Sequence, residues 1–110
     1  MLPIWFKTTT MDIAALKKSL QNAAPPADVS VYVKALWYDA KDNWGEAHKL
    51  IQDIADKNAS WVHAYLHRKE GDTGNADYWY AKAGKRRPFV SLDEEWQQIA
   101  TAFLNGNVVK

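Results

Sequence analysis

Residues 70–84 read EGDTGNADYWYAKAG, and the spacing within this stretch decides the fold class. A Gly-Asp pair breaks one helix, and apolar residues then recur at the 3.6-residue period of a single helical face, at Ala76, Trp79, Tyr80 and Ala83. The small side chains of Ala76 and Ala83 let the backbone of a neighbouring helix come close, while Trp79 and Tyr80 fill the space beside it. This pattern predicts two helices packed as a hairpin.

Capping residues and apolar stripes predict about six helices in the whole chain. Thr10, Asn43, Asp72 and Ser91 each stand where a side chain can cap a helix, and Ser91 opens a Ser-x-x-Glu capping box. The predicted helices run from Thr10 to about Asn22, about Val29 to Asp42, Asn43 to Ala55, about Ala59 to Lys69, Asp72 to about Arg87, and Ser91 to Asn105. The expected fold class is all-α.

The same stripes identify the buried faces of the helices. The second helix should bury Val33, Leu36, Trp37 and Ala40, and the third should bury Ala47, Leu50, Ile51, Ile54 and Ala55. The fourth helix is apolar on most sides and should be covered from two directions. The carboxylate pairs Asp39 with Asp42 and Asp53 with Asp56 are interpreted as parts of solvated faces.

The order Gly-Asp, small residue, aromatic pair and Lys-Ala in residues 71–83, followed by Pro88, resembles the second half of a tetratricopeptide repeat (TPR) unit. A weaker unit precedes it, since Ala47 superposes on Ala76 at an offset of 29 residues. TPR units repeat about every 34 residues, so the resemblance implies about two hairpin units over residues 29–88 with altered stacking. About three units are needed for a solenoid core, so the first and sixth helices are expected to act as caps.

Composition favours one domain spanning residues 1–110, with residues 1–10 as an N-terminal arm and 91–105 as a C-terminal capping helix. The net charge of +1 creates no field that would attract nucleic acid or an anionic membrane. There is no cysteine, which excludes thiolate chemistry, and no apolar run approaches a membrane span. A cytoplasmic location is the expectation. Segments 35–44 and 61–72 also resemble parts of small bacterial proteins, which implies no activity.

The aromatic content favours a shared core and some exposed surface. Six tryptophans are spread along the chain, and most are interpreted as core residues. A domain of this size leaves much of its surface in water, so some aromatic side chains should remain exposed. The arm, which carries Leu2, Ile4, Trp5 and Phe6, is expected to dock on its own domain or on a second copy in a symmetric homodimer.

Three histidines form the one constellation that could hold a metal. His63 and His67 are four residues apart on one helical face, and His48 lies on the preceding helix. If these helices pack side by side, three imidazoles could converge, with Glu70 one turn beyond His67. Ala64 stands where a zincin motif requires its general-base Glu. The sequence favours histidines that hydrogen-bond to neighbouring helices, so no cofactor is expected, and a metal site at His48, His63 and His67 is the alternative.

The TPR resemblance implies a concave surface that binds an extended peptide or an acidic tail. By superposition this surface presents Tyr32, Leu36, Asp39, Trp61, Tyr65, Arg68 and Lys69. TPR domains that grip chaperone C-termini use lysine and asparagine where this chain has Tyr32, Leu36, Trp61 and Tyr65. That departure argues against the chaperone role. The alternative is that the first or sixth helix covers these aromatic residues.

The sequence contains no phosphate loop, dinucleotide fingerprint or Gly-x-Ser-x-Gly elbow. The basic cluster Lys82, Lys85, Arg86 and Arg87 is explained by helix-end electrostatics. The leading hypothesis is a non-catalytic helical domain that binds a protein or peptide partner, or itself. The rival is a metal-dependent enzyme or metal-binding protein that uses the three histidines.

Overall fold

A computed structural model describes residues 11–105 of the chain. Within this range the chain folds into six α-helices and contains no strand, which confirms the all-helical prediction. The helices are α1 Ile13–Ser19, α2 Val31–Ala40, α3 Trp44–Ile51, α4 Lys57–Lys69, α5 Thr73–Lys82 and α6 Leu92–Leu104. None of the helices in the described range is long and apolar enough to cross a membrane. The N-terminal arm and its docking, and Thr10 as a cap, lie outside the described residues.

Five helices begin at a side chain that accepts a hydrogen bond from the backbone N–H three residues on. These N-caps are Asp12, Ser30, Asn43, Asp56 and Ser91. Asn43 and Ser91 are caps that the sequence predicted. Asp72 occupies the predicted N-cap position of α5, but its side chain makes no capping bond to that helix. Its carboxylate instead accepts a hydrogen bond from the side-chain amide of Asn75.

The missed caps explain why two predicted helix starts are wrong. Ser30 caps α2, which therefore begins at Val31 and not at Val29. Asp56 caps α4, which begins at Lys57, two residues before Ala59. Asp53 and Asp56 are both exposed, as predicted for a solvated pair, but neither lies within a helix. The stripes also extended too far, since Ala40 is exposed at the end of α2 and Ala55 is exposed in the connection between α3 and α4.

The helices pack in two sequential pairs, α2 with α3 and α4 with α5. Each pair is joined by three residues, and the two turns match at the 29-residue offset. Asp42 has φ 62° in the first turn, and Gly71 has φ 86° in the second. The N–H groups of Asn43 and Asp72, one residue further on, each donate to a carbonyl five residues back at 2.9 Å. Both turns are therefore helix C-caps closed by one left-handed residue.

A single large core lies between α1, α2, α3, α4 and α6. Its fully buried members include Leu16, Leu36, Trp37, Leu66 and Ile99. Tryptophan N–H groups make hydrogen bonds between the helices of this core. Trp37 of α2 donates to the Ser19 hydroxyl of α1, and Trp96 of α6 donates to the carbonyl of Leu36 in α2 at 2.9 Å. A smaller cluster of Ala64, Ala76 and Tyr80 joins α4 to α5.

Two carboxylates are buried with their partners among residues 11–105. Glu95 of α6 is 1% exposed, and it accepts hydrogen bonds from the Arg68 guanidinium at 2.7 Å and from the Tyr80 hydroxyl. Asp39 is equally buried, and it pairs with Lys69 at 3.0 Å and accepts from the Tyr65 hydroxyl. The interpretation of Asp39 as a solvated carboxylate is therefore wrong. The ion pair and the hydrogen bond that each carboxylate makes offset the cost of removing its charge from water.

We expect Ala76→Leu to lower the free energy of unfolding by about 1–3 kcal/mol, because Ala76 is 0% exposed where α5 meets α4 and extra methylenes would overpack this contact. Ala81→Leu is the matched control, since Ala81 lies on the exposed side of the same helix. Urea titrations followed by circular dichroism measure both variants. Equal midpoints for the two would refute the close contact.

Candidate functional site

The three histidines meet on one side of the hairpin formed by α4 and α5. His48 comes from the last turn of α3, and His63 and His67 come from adjacent turns of α4. Ala47, the residue before His48, is fully buried, which seats α3 closely against its neighbours. One ligand nitrogen from each histidine lies within 4.8 Å of the others. The convergence that the sequence allowed is present in the fold.

The distances between the rings are close to those of a metal centre. The Nε2 atoms of His48 and His63 are 2.9 Å apart, and the rings of His63 and His67 stack with centroids 4.8 Å apart. Zinc–nitrogen bonds of 2.0–2.1 Å in a tetrahedral arrangement place ligand nitrogens about 3.3 Å from one another. The nitrogens of the cluster lie within 4.8 Å of one another, so the side chains would have to rotate for all three to coordinate one ion.

Glu70 determines which nitrogen of His67 is free. Its Oε2 atom lies 2.8 Å from Nδ1 of His67, so Nδ1 carries the proton and donates it to the carboxylate. The lone pair of His67 is then on Nε2, which faces the cluster's other donors and lies 3.5 Å from the side-chain amide nitrogen of Asn75. Carboxylates that hold the far nitrogen of a histidine in this way orient metal-binding imidazoles in many proteins.

Two tryptophans stack on the histidines. Trp44 lies on the ring of His48, with centroids 4.7 Å apart and an angle of 12° between the planes. Trp79 lies on the ring of His63 at 3.9 Å and 19°. The Trp44 N–H donates to the carbonyl of Leu66 at 2.8 Å, which fixes this ring against α4. The aromatic faces restrict how far the two imidazoles can turn.

The surroundings of His48 and His63 disfavour the charged forms of these two imidazoles. Burial, together with positive charge on His48 and His67, lowers the pKa of His63 to about 4. Burial also lowers the pKa of His48, as does positive charge on His67, while Glu70 opposes that change. Neutral imidazole is the form that binds a metal ion.

Most of the residues that the TPR resemblance assigned to a concave surface are buried or contact α6, whereas Lys69 is exposed. Leu36, Asp39 and Tyr65 are buried. The rings of Tyr32 and Trp61 each pack on Phe103 of α6, at centroid distances of 5.1 Å and 5.6 Å. Arg68 pairs with Glu95 of the same helix, and Lys69 pairs with Asp39. The sixth helix therefore contacts much of the face on which a peptide was expected.

Sequence reasoning did not single out several residues around these surfaces. Trp44 lies four residues before His48 on the same helix, a spacing that could have indicated the stacking. Asn75 and the stacking of Trp79 on His63 depend on how α5 packs on α4, so spacing alone could not reveal them. Phe89 is fully exposed in the segment between α5 and α6 and follows no helical period.

Comparisons of the chain with protein-family models, with curated proteins and with solved structures found no match. The fold and the site define an all-helical protein with a cluster of three histidines. Its function must be argued from the geometry of this cluster and of the surrounding surface.

We expect metal-free protein to lose about 1–3 kcal/mol of stability as the pH falls from 6.5 to about 4, because the unfolded chain protonates His63 at a higher pH than the folded chain does. The contribution is complete above the unfolded pKa and is lost below it. Urea midpoints across this range measure it. His63→Gln lacks this titration and serves as the comparison, since carboxylates titrate equally in both proteins. Parallel pH profiles for the two would contradict the prediction.

Proposed function

We propose that the protein binds one divalent transition-metal ion, zinc in the first instance, through His48, His63 and His67. The observation that carries this proposal is the approach of three imidazole nitrogens to within 4.8 Å of one another, with Glu70 directing the third ring. The cluster combines the i, i+4 spacing of two ligands on one helix with a third ligand from the adjoining helix, as metal sites in helical proteins do.

The chemistry of the donors favours zinc or a neighbouring first-row ion. Three imidazoles form an all-nitrogen ligand set, which suits zinc, copper, nickel and iron. Calcium and magnesium prefer oxygen ligands, and the carboxylate nearest to the cluster, that of Glu70, is bound to the far side of His67. Zinc is compatible with three protein ligands at tetrahedral angles.

The competing interpretation is a purely structural set of hydrogen-bonded histidines. In that case a hydrogen bond between His48 and His63 connects α3 to α4, and the stacked tryptophans only cover these two rings. It accounts for the 2.9 Å contact, but it leaves the Nε2 atom of His67 with only a long contact of 3.5 Å to the Asn75 amide. A metal ion uses all three nitrogens.

We expect the wild-type protein, stripped with a chelator and then given zinc, to bind one ion per chain. The double variant His63→Gln, His67→Gln should bind none, because two of the three ligands are removed. Elemental analysis measures the stoichiometry, and competition with a chromophoric chelator measures the affinity. Absence of zinc from the wild type, or undiminished binding by the double variant, would refute the proposal.

Glu70→Gln tests the orienting contact in the same assay. Affinity should fall about 10- to 100-fold, the usual effect of removing a carboxylate that holds a metal-binding histidine. Glu94→Gln is the matched control, because Glu94 is an exposed carboxylate on α6 and should leave affinity unchanged.

A second candidate function is a TPR-like helical domain that binds the acidic segment of a partner protein. The matched turns of the two helix pairs support the TPR-like interpretation. The partner would dock on the basic corner, residues 85–89 between α5 and α6, rather than on the face that α6 occupies. Phe89 is fully exposed there, and Arg86 has no ion-pair partner among residues 11–105. An aromatic side chain beside an unpaired cation suits an acidic, partly apolar peptide.

We expect a peptide of alternating Glu and Phe to shift backbone amide resonances of residues 85–89 in an NMR titration, more strongly at low salt. Phe89→Ser should remove the effect without loss of stability, since the ring makes no buried contact. A peptide with Lys in place of Glu is the control. Equal shifts with both peptides would exclude an acidic partner. If sedimentation shows that the wild type is a dimer and that Phe89→Ser is a monomer, the occupant is a second copy of the chain.

A further inference from the structure

We infer that the three-histidine metal centre leaves one coordination position open to solvent, and that a small anion with an oxygen donor, a carboxylate or a phosphate, can occupy it in place of water. This inference rests on the proposed function and adds the class of ligand that the centre would accept. Zinc sites with three protein ligands and one exchangeable position are the kind that act on bound molecules.

The described residues supply three donors to the cluster and no fourth. The carboxylates of Glu70 and Asp72 approach His67, but they form a separate group with it that includes neither His48 nor His63. Glu70 is on the Nδ1 side of the His67 ring, whereas a metal would bind on the Nε2 side. The carboxylate cannot reach an ion there without giving up the contact that orients the ring.

The accessible side of the cluster is that of Asn75. His63 and His67 are buried, whereas His48 is half-buried and Asn75 is exposed. The amide nitrogen of Asn75 lies 3.5 Å from Nε2 of His67 and is 3.3 Å from the Asp72 carboxylate. The carboxylate accepts from this amide and so keeps its N–H₂ end toward the cluster. A donor is therefore placed where the outer oxygen of a metal-bound anion would lie.

The tryptophans limit what can enter. Trp44 and Trp79 cover the faces of His48 and His63, so a ligand has to approach past Asn75 rather than over the rings. This geometry favours a compact group, such as a single carboxylate or phosphate, over a large planar molecule.

Cobalt(II) substitution tests the inference, because the visible absorption of this ion reports its coordination. The full chain is stripped of metal, loaded with cobalt and titrated separately with acetate and with inorganic phosphate, at ionic strength held constant with sodium perchlorate. We expect a saturable spectral change with at least one of the two anions. The anion that binds more tightly distinguishes a carboxylate site from a phosphate site.

Asn75→Ala should weaken anion binding several-fold while cobalt affinity stays the same, because the amide contacts the anion and not the ion. Gln98→Ala, an exposed amide on α6, is the matched control and should change neither. Cobalt that binds but whose spectrum ignores both anions would overturn the inference and leave the proposed function standing. Loss of cobalt affinity in Asn75→Ala would make Asn75 a ligand and equally overturn it. If cobalt does not bind at all, the proposed function fails and this inference fails with it.

Discussion

The burial of α4 is the constraint on which the rest of the structure depends. From Asn58 to His67 every side chain except Trp61 is buried, so this short helix must be covered on almost all sides. α3 and α5 cover one side and α2 and α6 cover the other. A helix so enclosed has to satisfy its polar side chains inside the protein, because water does not reach them. The histidine cluster and the pairing of Tyr65 with Asp39 are two such solutions on opposite sides of the helix.

This constraint also explains which parts of the structure could be predicted. Local chemistry indicated the helices, as Asn43 and Ser91 demonstrate, and the spacing of His63 and His67 placed two imidazoles on one face. Asp56 was missed as a cap because its carboxylate was interpreted only as one half of a surface pair with Asp53. The position of α6 could not be derived, since its contacts with α4 and α2 are made between residues 27 and 60 apart in sequence.

The two faces of α4 therefore have different functional prospects. On the α6 side, ion pairs and aromatic contacts are internal to the chain, and Glu95 joins Arg68 to Tyr80 across three helices. On the α3 side, the histidines are satisfied mostly by one another and by Glu70, which leaves a lone pair of His67 weakly used. Polar groups that the fold itself fully satisfies stabilise it, whereas a nitrogen left with a weak 3.5 Å partner is available to a ligand.

Both turns between paired helices need one residue with a left-handed backbone, but the free-energy cost of that residue arises in the folded state for one turn and in the unfolded state for the other. Asp42 adopts a left-handed backbone although it carries a Cβ, so the first turn is opposed by steric repulsion within the folded protein. Gly71 adopts nearly the same conformation without repulsion, but glycine has more freedom to lose when the chain orders. The first turn is thus strained and the second is entropically costly. Two hairpins of similar shape consequently respond to different substitutions, the first to removal of a side chain and the second to its addition.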